Sequence, residues 1–292
     1  MKSKVQSSGD ISREPTVMEL IRRAVAEDVG PGDVTSEALV GLEVSVEAVV
    51  LARSPLVVCG VDVARAVFAE IDPEVRCVPT RLDGQRAGAQ DILLTLTGRA
   101  RSILTGERTA LNFMQRLCGI ATLTRQFVDR VASSGTRILD TRKTTPTLRV
   151  LEKYAVRCGG GENHRFGLFD RILIKDNHRR LAGLPGGMGL AAAVERARQL
   201  HPGLQVEVEV ETLAELEEVL PANPDWILLD NMGTDLMARC VRRVAGQSAV
   251  EASGGITLER VSAVAGTGVD AISLGCLTHS APAADLSLEI LT

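Results

Sequence analysis

The stretch DTRKTTPTLRVLEKYAVRCGGGENHRFGLFDRILIKDNH, residues 140–178, sets Arg142, Lys143, His164, Arg165 and Lys175 around two successive strand ends. Cations gathered into one pocket repel each other, and such a set persists where an anion neutralises it. The planar guanidinium fork matches a carboxylate in particular. Taken one at a time, each of these residues would be an ordinary solvated surface group. Their interleaving with a histidine and with the glycines at 159–161, which let the backbone turn tightly, argues for a site. Two carboxylates, Glu209 in VEVEVET and Asp230 in WILLDNM, end later strands. In a cationic site they have two uses: holding magnesium on a phosphate ester, or stabilising positive charge that develops on a sugar ring. Salt bridges to neighbouring lysines are the plainer alternative. Finally, EASGGI and GVDAISLG place Ser253, Gly254, Gly255, Ser273 and Gly275 at consecutive strand ends. Backbone amides there suit a phosphate. A Gly-Gly pair alone can be a plain turn, but with two serines after the last strands of a barrel it marks a frequent phosphate position.

These side chains act together only if the chain carries them to one place. After residue 136 short apolar segments, RILD, ILIK, VEVE, WILLD, AVEAS and AISLG, alternate with amphipathic ones such as LAAAVERARQL and TLAELEEVL. Repeated strand-helix units predict a parallel sheet. A closed or nearly closed α/β barrel is preferred to an open sheet, because every strand ends in a polar residue or glycine: Asp140, Lys175, Glu209, Asp230, Ser253 and Gly275. Upstream the pattern is α+β. Pro15 opens a helix with Val17, Leu20, Ile21, Ala24 and Val25 at helical spacing, and residues 44–53 and 92–100 read as strands. Residues 103–132 read as helical, with Gly106 and Gly119 as expected breaks, and as the join between two domains.

With 292 residues, 45% hydrophobic and 24% charged, the chain can bury a sizeable core in one large or two moderate domains. No apolar run approaches the ~18 residues of a membrane span, and the opening MKSKVQSSGD lacks the apolar stretch of a secretory signal, so a cytoplasmic protein without a membrane partner is expected. A net charge of -4 and 2% aromatics argue against a general nucleic-acid binder. The six cysteines form no CxxC pair, which indicates neither a zinc site nor a disulfide framework.

From EDVGPGDVTS through ERTALNFMQRLCGIAT, DTRKTTP, CGGGENHRFGL, ILIKDNH, VEVEVET, ILLDNM, EASGGI and GVDAISLG to THSAPAADLSLEI, the sequence resembles the quinolinate phosphoribosyltransferase family, also called carboxylating nicotinate-nucleotide pyrophosphorylase. Residues 1–14 are polar and read as a disordered segment. The resemblance implies an N-terminal α/β sandwich domain over 15–118 completed by the tail 277–292, and an incomplete α/β (TIM-like) barrel over 119–276. It implies transfer of phosphoribosyl from phosphoribosyl pyrophosphate to quinolinate with decarboxylation, in a homodimer or higher even oligomer with shared sites. Residue by residue, Arg108, Arg142, His164, Arg165 and Lys175 would bind quinolinate, with Arg108 reaching across from the partner. Lys143, Glu209 and Asp230 would hold the donor with Mg2+, Glu209 and Asp230 being the metal ligands. Ser253, Gly254, Gly255, Ser273 and Gly275 would take the 5-phosphate. Two departures from the family pattern are visible: Thr147 where glycine is frequent, and a long connector at 179–189. The paralogous family associated with molybdenum transport shares several motifs but fits DTRKTTP, NHR and KDNH less well. A non-catalytic phosphate-binding barrel would lack the carboxylates or the cationic group.

Overall fold

The computed structural model describes residues 10–182 and 189–291. Its contacts group into two compact units, one of residues 10–125, 144–160 and 277–291, the other of residues 126–143, 161–182 and 189–276. In the first, N-terminal unit, helices α1 (Pro15–Val29), α2 (Val34–Leu39) and α3 (Val61–Ile71) accompany strands β1 (Ser45–Ala52), β2 (Leu56–Val57), β3 (Arg76–Pro79), β4 (Arg86–Ala87) and β5 (Ile92–Arg99). Helix α1 begins with proline, whose fixed φ suits a first turn, and buries Val17 and Ile21. Asp33 starts α2 by accepting from the Ser36 amide, a side-chain cap.

Of the fourteen residues expected to be disordered, 1–9 lie outside the described residues. Those that follow are ordered. Asp10 accepts from the Ser12 amide at 3.0 Å to start a single 3-10 turn over Ile11–Arg13, and the apolar Ile11 is buried.

Helix α4 (Ala100–Val131) runs for 32 residues without interruption. Gly106 and Gly119, expected as breaks, lie inside it because neighbouring parts pack against its backbone there. A Cβ on Gly106 would meet the Phe68 ring at 2.7 Å, and one on Gly119 would overlap the Pro282 carbonyl. The helix is tied to the tail a second time by Arg116, which donates to the Ala281 carbonyl at 3.2 Å and to the fully buried Glu152 at 2.7 Å. Helix propensity alone would have Gly119→Ala stabilise the protein by ~1 kcal/mol. The overlap with backbone reverses the sign: a net loss of about 2 kcal/mol is expected, since overpacking costs about 1–3 kcal/mol or more. A thermal melt checks it, and an unchanged or raised midpoint would show that the tail moves aside freely.

In the second unit the chain enters β6 (Arg137–Leu139). Helix α5 (Arg149–Cys158) follows but groups with the N-terminal unit, where it buries Leu151, Ala155 and Val156. Then come β7 (Ile172–Ile174), α6 (Asp176–Leu181), α7 (Leu190–Leu200), β8 (Val206–Val210), α8 (Leu213–Val219), β9 (Trp226–Asp230), α9 (Thr234–Val244), β10 (Ala249–Ser253), α10 (Val261–Ala265) and β11 (Ala271–Ser273). All six expected strands are present, and they form one parallel sheet in the order β6-β11-β10-β9-β8-β7. A short α11 (Cys276–His279) leads to β12 (Leu286–Leu291), which pairs antiparallel with β1, so the tail adds an edge to the N-terminal sheet β12-β1-β5-β3.

Thr147 has φ 70, the left-handed region, which costs a side-chain-bearing residue on the order of 1–3 kcal/mol. Glycine would escape that strain. The long connector expected at 179–189 lies partly outside the described residues. The six cysteines are free thiols, and Cys59 and Cys158 meet Asp83 with ligand atoms within 4.8 Å of one another, a grouping that their spacing in sequence does not announce.

Candidate functional site

Alternation along a strand puts residues two apart on one face, and register aligns the faces of neighbouring strands. Glu207 and Glu209 of β8 stand level with Trp226 and Leu228 of β9, and Asp230 stands level with Ser253 of β10. Glu251 is level with Ala271 of β11, and Ser273 with Leu139 of β6. One face of the parallel sheet therefore carries the strand-end groups Glu209, Asp230, Ser253 and Ser273, with Glu207, Glu251 and Trp226 deeper along the same strands. At the deep end the Arg137 and Arg171 guanidiniums lie over the Trp226 ring at 5.0 and 5.1 Å.

The loop after β6 supplies Arg142 and Lys143, and the segment before β7 supplies His164 and Arg165. Asp140, fully buried, holds that segment by accepting from the Asn163 side chain at 2.6 Å and the His164 amide at 2.9 Å. Arg142 and Arg165 are brought close. Burial and then the Arg142 charge push the Arg165 guanidinium below its ordinary value. The Arg142 Nε is itself buried with no hydrogen-bond partner. Two guanidiniums that repel, one with a buried donor unused, form a receptor for an anion.

Lys175 and Glu209 are paired, Nζ to Oε2 at 2.8 Å, with the carboxylate largely buried and the ammonium half exposed. Asp230 accepts from the Asn231 side chain at 2.9 Å. Glu209 and Asp230 end adjacent strands and offer hard oxygen donors, the set that magnesium takes alongside substrate phosphates. The donors present thus fit a magnesium ion. Gly254 (φ 98) follows β10 where a Cβ would overlap the Asn231 side chain, so only glycine lets the loop pass beside Asp230. Ser273 is buried, while Ser253 and Gly275 are half-buried and Gly255 is exposed. Lys143 is exposed, its amide donating to the Thr141 hydroxyl.

Two further expected members have other neighbours. Arg108 is on α4 in the N-terminal unit, its side chain 59% exposed and 3.7 Å from Glu107. His164 belongs to the segment but its ring is turned inward and buried. Nε2 lies 3.0 Å from Glu207 and 3.5 Å from Glu251, and Nδ1 accepts from the Arg165 amide at 2.7 Å. Both ring nitrogens have partners within the protein. Glu207 and Glu251 are completely buried partners that a search of strand ends does not find. Burial works to raise the Glu207 carboxyl, but the His164 hydrogen bond and the Arg171 guanidinium bring it below the usual range. Burial and the neighbouring Glu207 push Glu251 well above it.

Models of the quinolinate phosphoribosyl transferase N-terminal and C-terminal domains match residues 33–118 and 120–289. The chain belongs to the quinolinate phosphoribosyltransferase family. It is 42% identical over 273 residues to a probable carboxylating nicotinate-nucleotide pyrophosphorylase of Bacillus subtilis, covering 93% of this chain and 92% of that one. It is equally identical over 278 residues to the Mycobacterium leprae nicotinate-nucleotide pyrophosphorylase, covering 93% and 96%. The solved structure of the Francisella tularensis nicotinate-nucleotide pyrophosphorylase superposes with a TM-score of 0.91 at 40% identity, over 98% of this chain and 100% of that one. The two-domain fold is that of the quinolinate phosphoribosyltransferases, an N-terminal sheet domain and a TIM-like barrel, with six parallel strands among the described residues.

Proposed function

We propose that the chain transfers the ribose phosphate of phosphoribosyl pyrophosphate to the ring nitrogen of quinolinate, releasing pyrophosphate and carbon dioxide and giving nicotinate mononucleotide. The reaction class follows from the family. The division of the site rests on one observation, the repelling pair Arg142 and Arg165 with the buried Arg142 Nε unused, which suits the two carboxylates of quinolinate. In this reading Lys175 serves the quinolinate half, and its pair with Glu209 links it to the donor half.

In this reading the cations hold quinolinate with its nitrogen toward the anomeric carbon, which converts an encounter into a positioned attack. Lys143 takes the pyrophosphate, and Ser253, Gly254, Gly255, Ser273 and Gly275 take the 5-phosphate. Glu209 and Asp230 hold magnesium with the donor or favour positive charge on the ribose. When bound, the metal neutralises charge on the leaving pyrophosphate. Once the new bond forms, the ring nitrogen is cationic. The adjacent carboxylate then leaves as carbon dioxide, its bonding electrons pass into the ring, and the ring carbon takes a proton from solvent. The second carboxylate remains held.

The enzyme works as a homodimer in the cytosol, with Arg108 supplied by the second copy. Among the described residues no helix is long and apolar enough to cross a membrane.

Purified protein given quinolinate, phosphoribosyl pyrophosphate and magnesium should form nicotinate mononucleotide and carbon dioxide in equal amounts. Arg142→Ala or Arg165→Ala should weaken quinolinate by ~1.5–3 kcal/mol, one charge-assisted contact, and phosphoribosyl pyrophosphate far less. Calorimetry showing equal loss for both ligands would sink this division of the site.

A further inference from the structure

We infer that Glu207 is a positioning residue for Arg165, acting through a closed ring of hydrogen bonds that fixes the His164 tautomer. The inference rests on the reading above that Arg165 binds quinolinate. The ring can be followed atom by atom. The Arg165 amide donates to His164 Nδ1 at 2.7 Å. A ring nitrogen that accepts carries no hydrogen, so the imidazole hydrogen sits on Nε2, which faces Glu207 Oε2 at 3.0 Å. The same carboxylate oxygen takes Arg171 Nη1 at 3.4 Å, and the Arg171 carbonyl accepts from Arg165 Nη1 at 3.3 Å. Both the backbone amide and the guanidinium of Arg165 are thereby referred to one fully buried oxygen.

The surroundings favour a positioning role over simple charge balance for Arg171. A carboxylate in the middle of an apolar strand is costly to bury, and a packed hydrocarbon side chain would serve stability as well. Arg171 already lies over Trp226 and could not by itself tell one edge of the imidazole from the other. Glu207 can, because only an acceptor at Nε2 leaves Nδ1 open to the Arg165 amide. The other group facing Nε2 is Glu251, at 3.5 Å, and Asp140 accepts from the His164 backbone amide. His164 is therefore held at both ring nitrogens and at its backbone, and Arg165 inherits its placement.

The test reads the tautomer first, in the unliganded wild-type protein, by long-range proton-nitrogen correlation of the imidazoles, with the His164 signals identified by their loss in His164→Gln. A single form with the hydrogen on Nε2 is expected, and a hydrogen on Nδ1 overturns the ring. Glu207→Met, which has no acceptor, should scatter that signature and raise the quinolinate Kd by about 10–100-fold, as loss of a supporting partner generally does. The phosphoribosyl pyrophosphate Kd should change by less than about twofold, as for a distant site. Glu207→Gln keeps an acceptor oxygen and should retain the tautomer and much of the quinolinate affinity. If Glu207→Met does not fold, the wild-type tautomer and Glu207→Gln decide the matter. Equal loss of both ligands, or an unchanged quinolinate Kd with the signature scattered, overturns the positioning role. Unchanged quinolinate affinity in Arg165→Ala overturns the underlying site reading instead, and is told apart because the tautomer is read without ligand.

Discussion

Asp230→Ala is expected to lower turnover by roughly a hundredfold or more, in the range that follows when charge stabilisation of a transition state is removed. Glu209→Ala should do the same. Quinolinate affinity separates the two. Asp230 has the Asn231 amide as its hydrogen-bond neighbour, so its loss should leave quinolinate binding unchanged. Glu209 is paired to Lys175 at 2.8 Å, and Glu209→Ala releases an ammonium that the proposal assigns to quinolinate. Quinolinate should then bind as tightly as before or more tightly, while turnover collapses. The pair is partly exposed, so the gain in affinity is expected to stay within ~1 kcal/mol. Steady-state kinetics at saturating magnesium together with calorimetry of quinolinate check both expectations. Turnover that survives either substitution would mean that the metal and ribose-cation roles belong elsewhere, and a large loss of quinolinate affinity in Glu209→Ala would mean that the carboxylate orients Lys175 rather than restrains it.

That pairing also shows where sequence reasoning stops. Short apolar segments with polar ends locate all six parallel strands, and their register puts Lys175, Glu209 and Asp230 on one sheet face, because those signals are local and repeat. Partnership across strands is not local. Nothing in ILIK or VEVEV says that Lys175 meets Glu209, since their contact depends on the parallel register of β7 against β8. Glu207 and Glu251 escape notice for a related reason: they sit two residues before Glu209 and Ser253, inside their strands rather than at the polar ends. The signal was present in VEVEV, where alternation puts a second glutamate on the face of Glu209, in a strand whose other side chains are all valine. The direction of the His164 ring is set by Asp140 and Glu207, residues 24 positions before it and 43 after it in the numbering, and could not be read from NHR alone. Gly106 and Gly119 were ambiguous in principle. A glycine inside a helical pattern signals either a break or a close approach, and only the positions of Phe68 and Pro282 select the second.

Arg108 supplies the sharpest test of the assembly. It projects from α4 in the N-terminal unit, exposed, with Glu107 as its ion-pair neighbour. The proposed homodimer gives it a role in the second copy's site, while Lys143 serves the site of its own chain. Arg108→Ala and Lys143→Ala proteins should each be nearly inactive, because every site in either homodimer lacks one group. Mixing them with exchange of subunits should restore activity. Random pairing makes half of the dimers mixed, and each mixed dimer holds one intact site and one that lacks both groups, so about a quarter of wild-type activity is expected for a two-fold symmetric dimer. Exchange is verified separately by mass spectrometry of differently labelled subunits. A trimer of dimers gives the same fraction, since the count depends only on pairs that share a site. If verified exchange returns no activity, Arg108 and Lys143 serve the same chain's site, and the sharing of sites between copies is wrong even where the reaction is right.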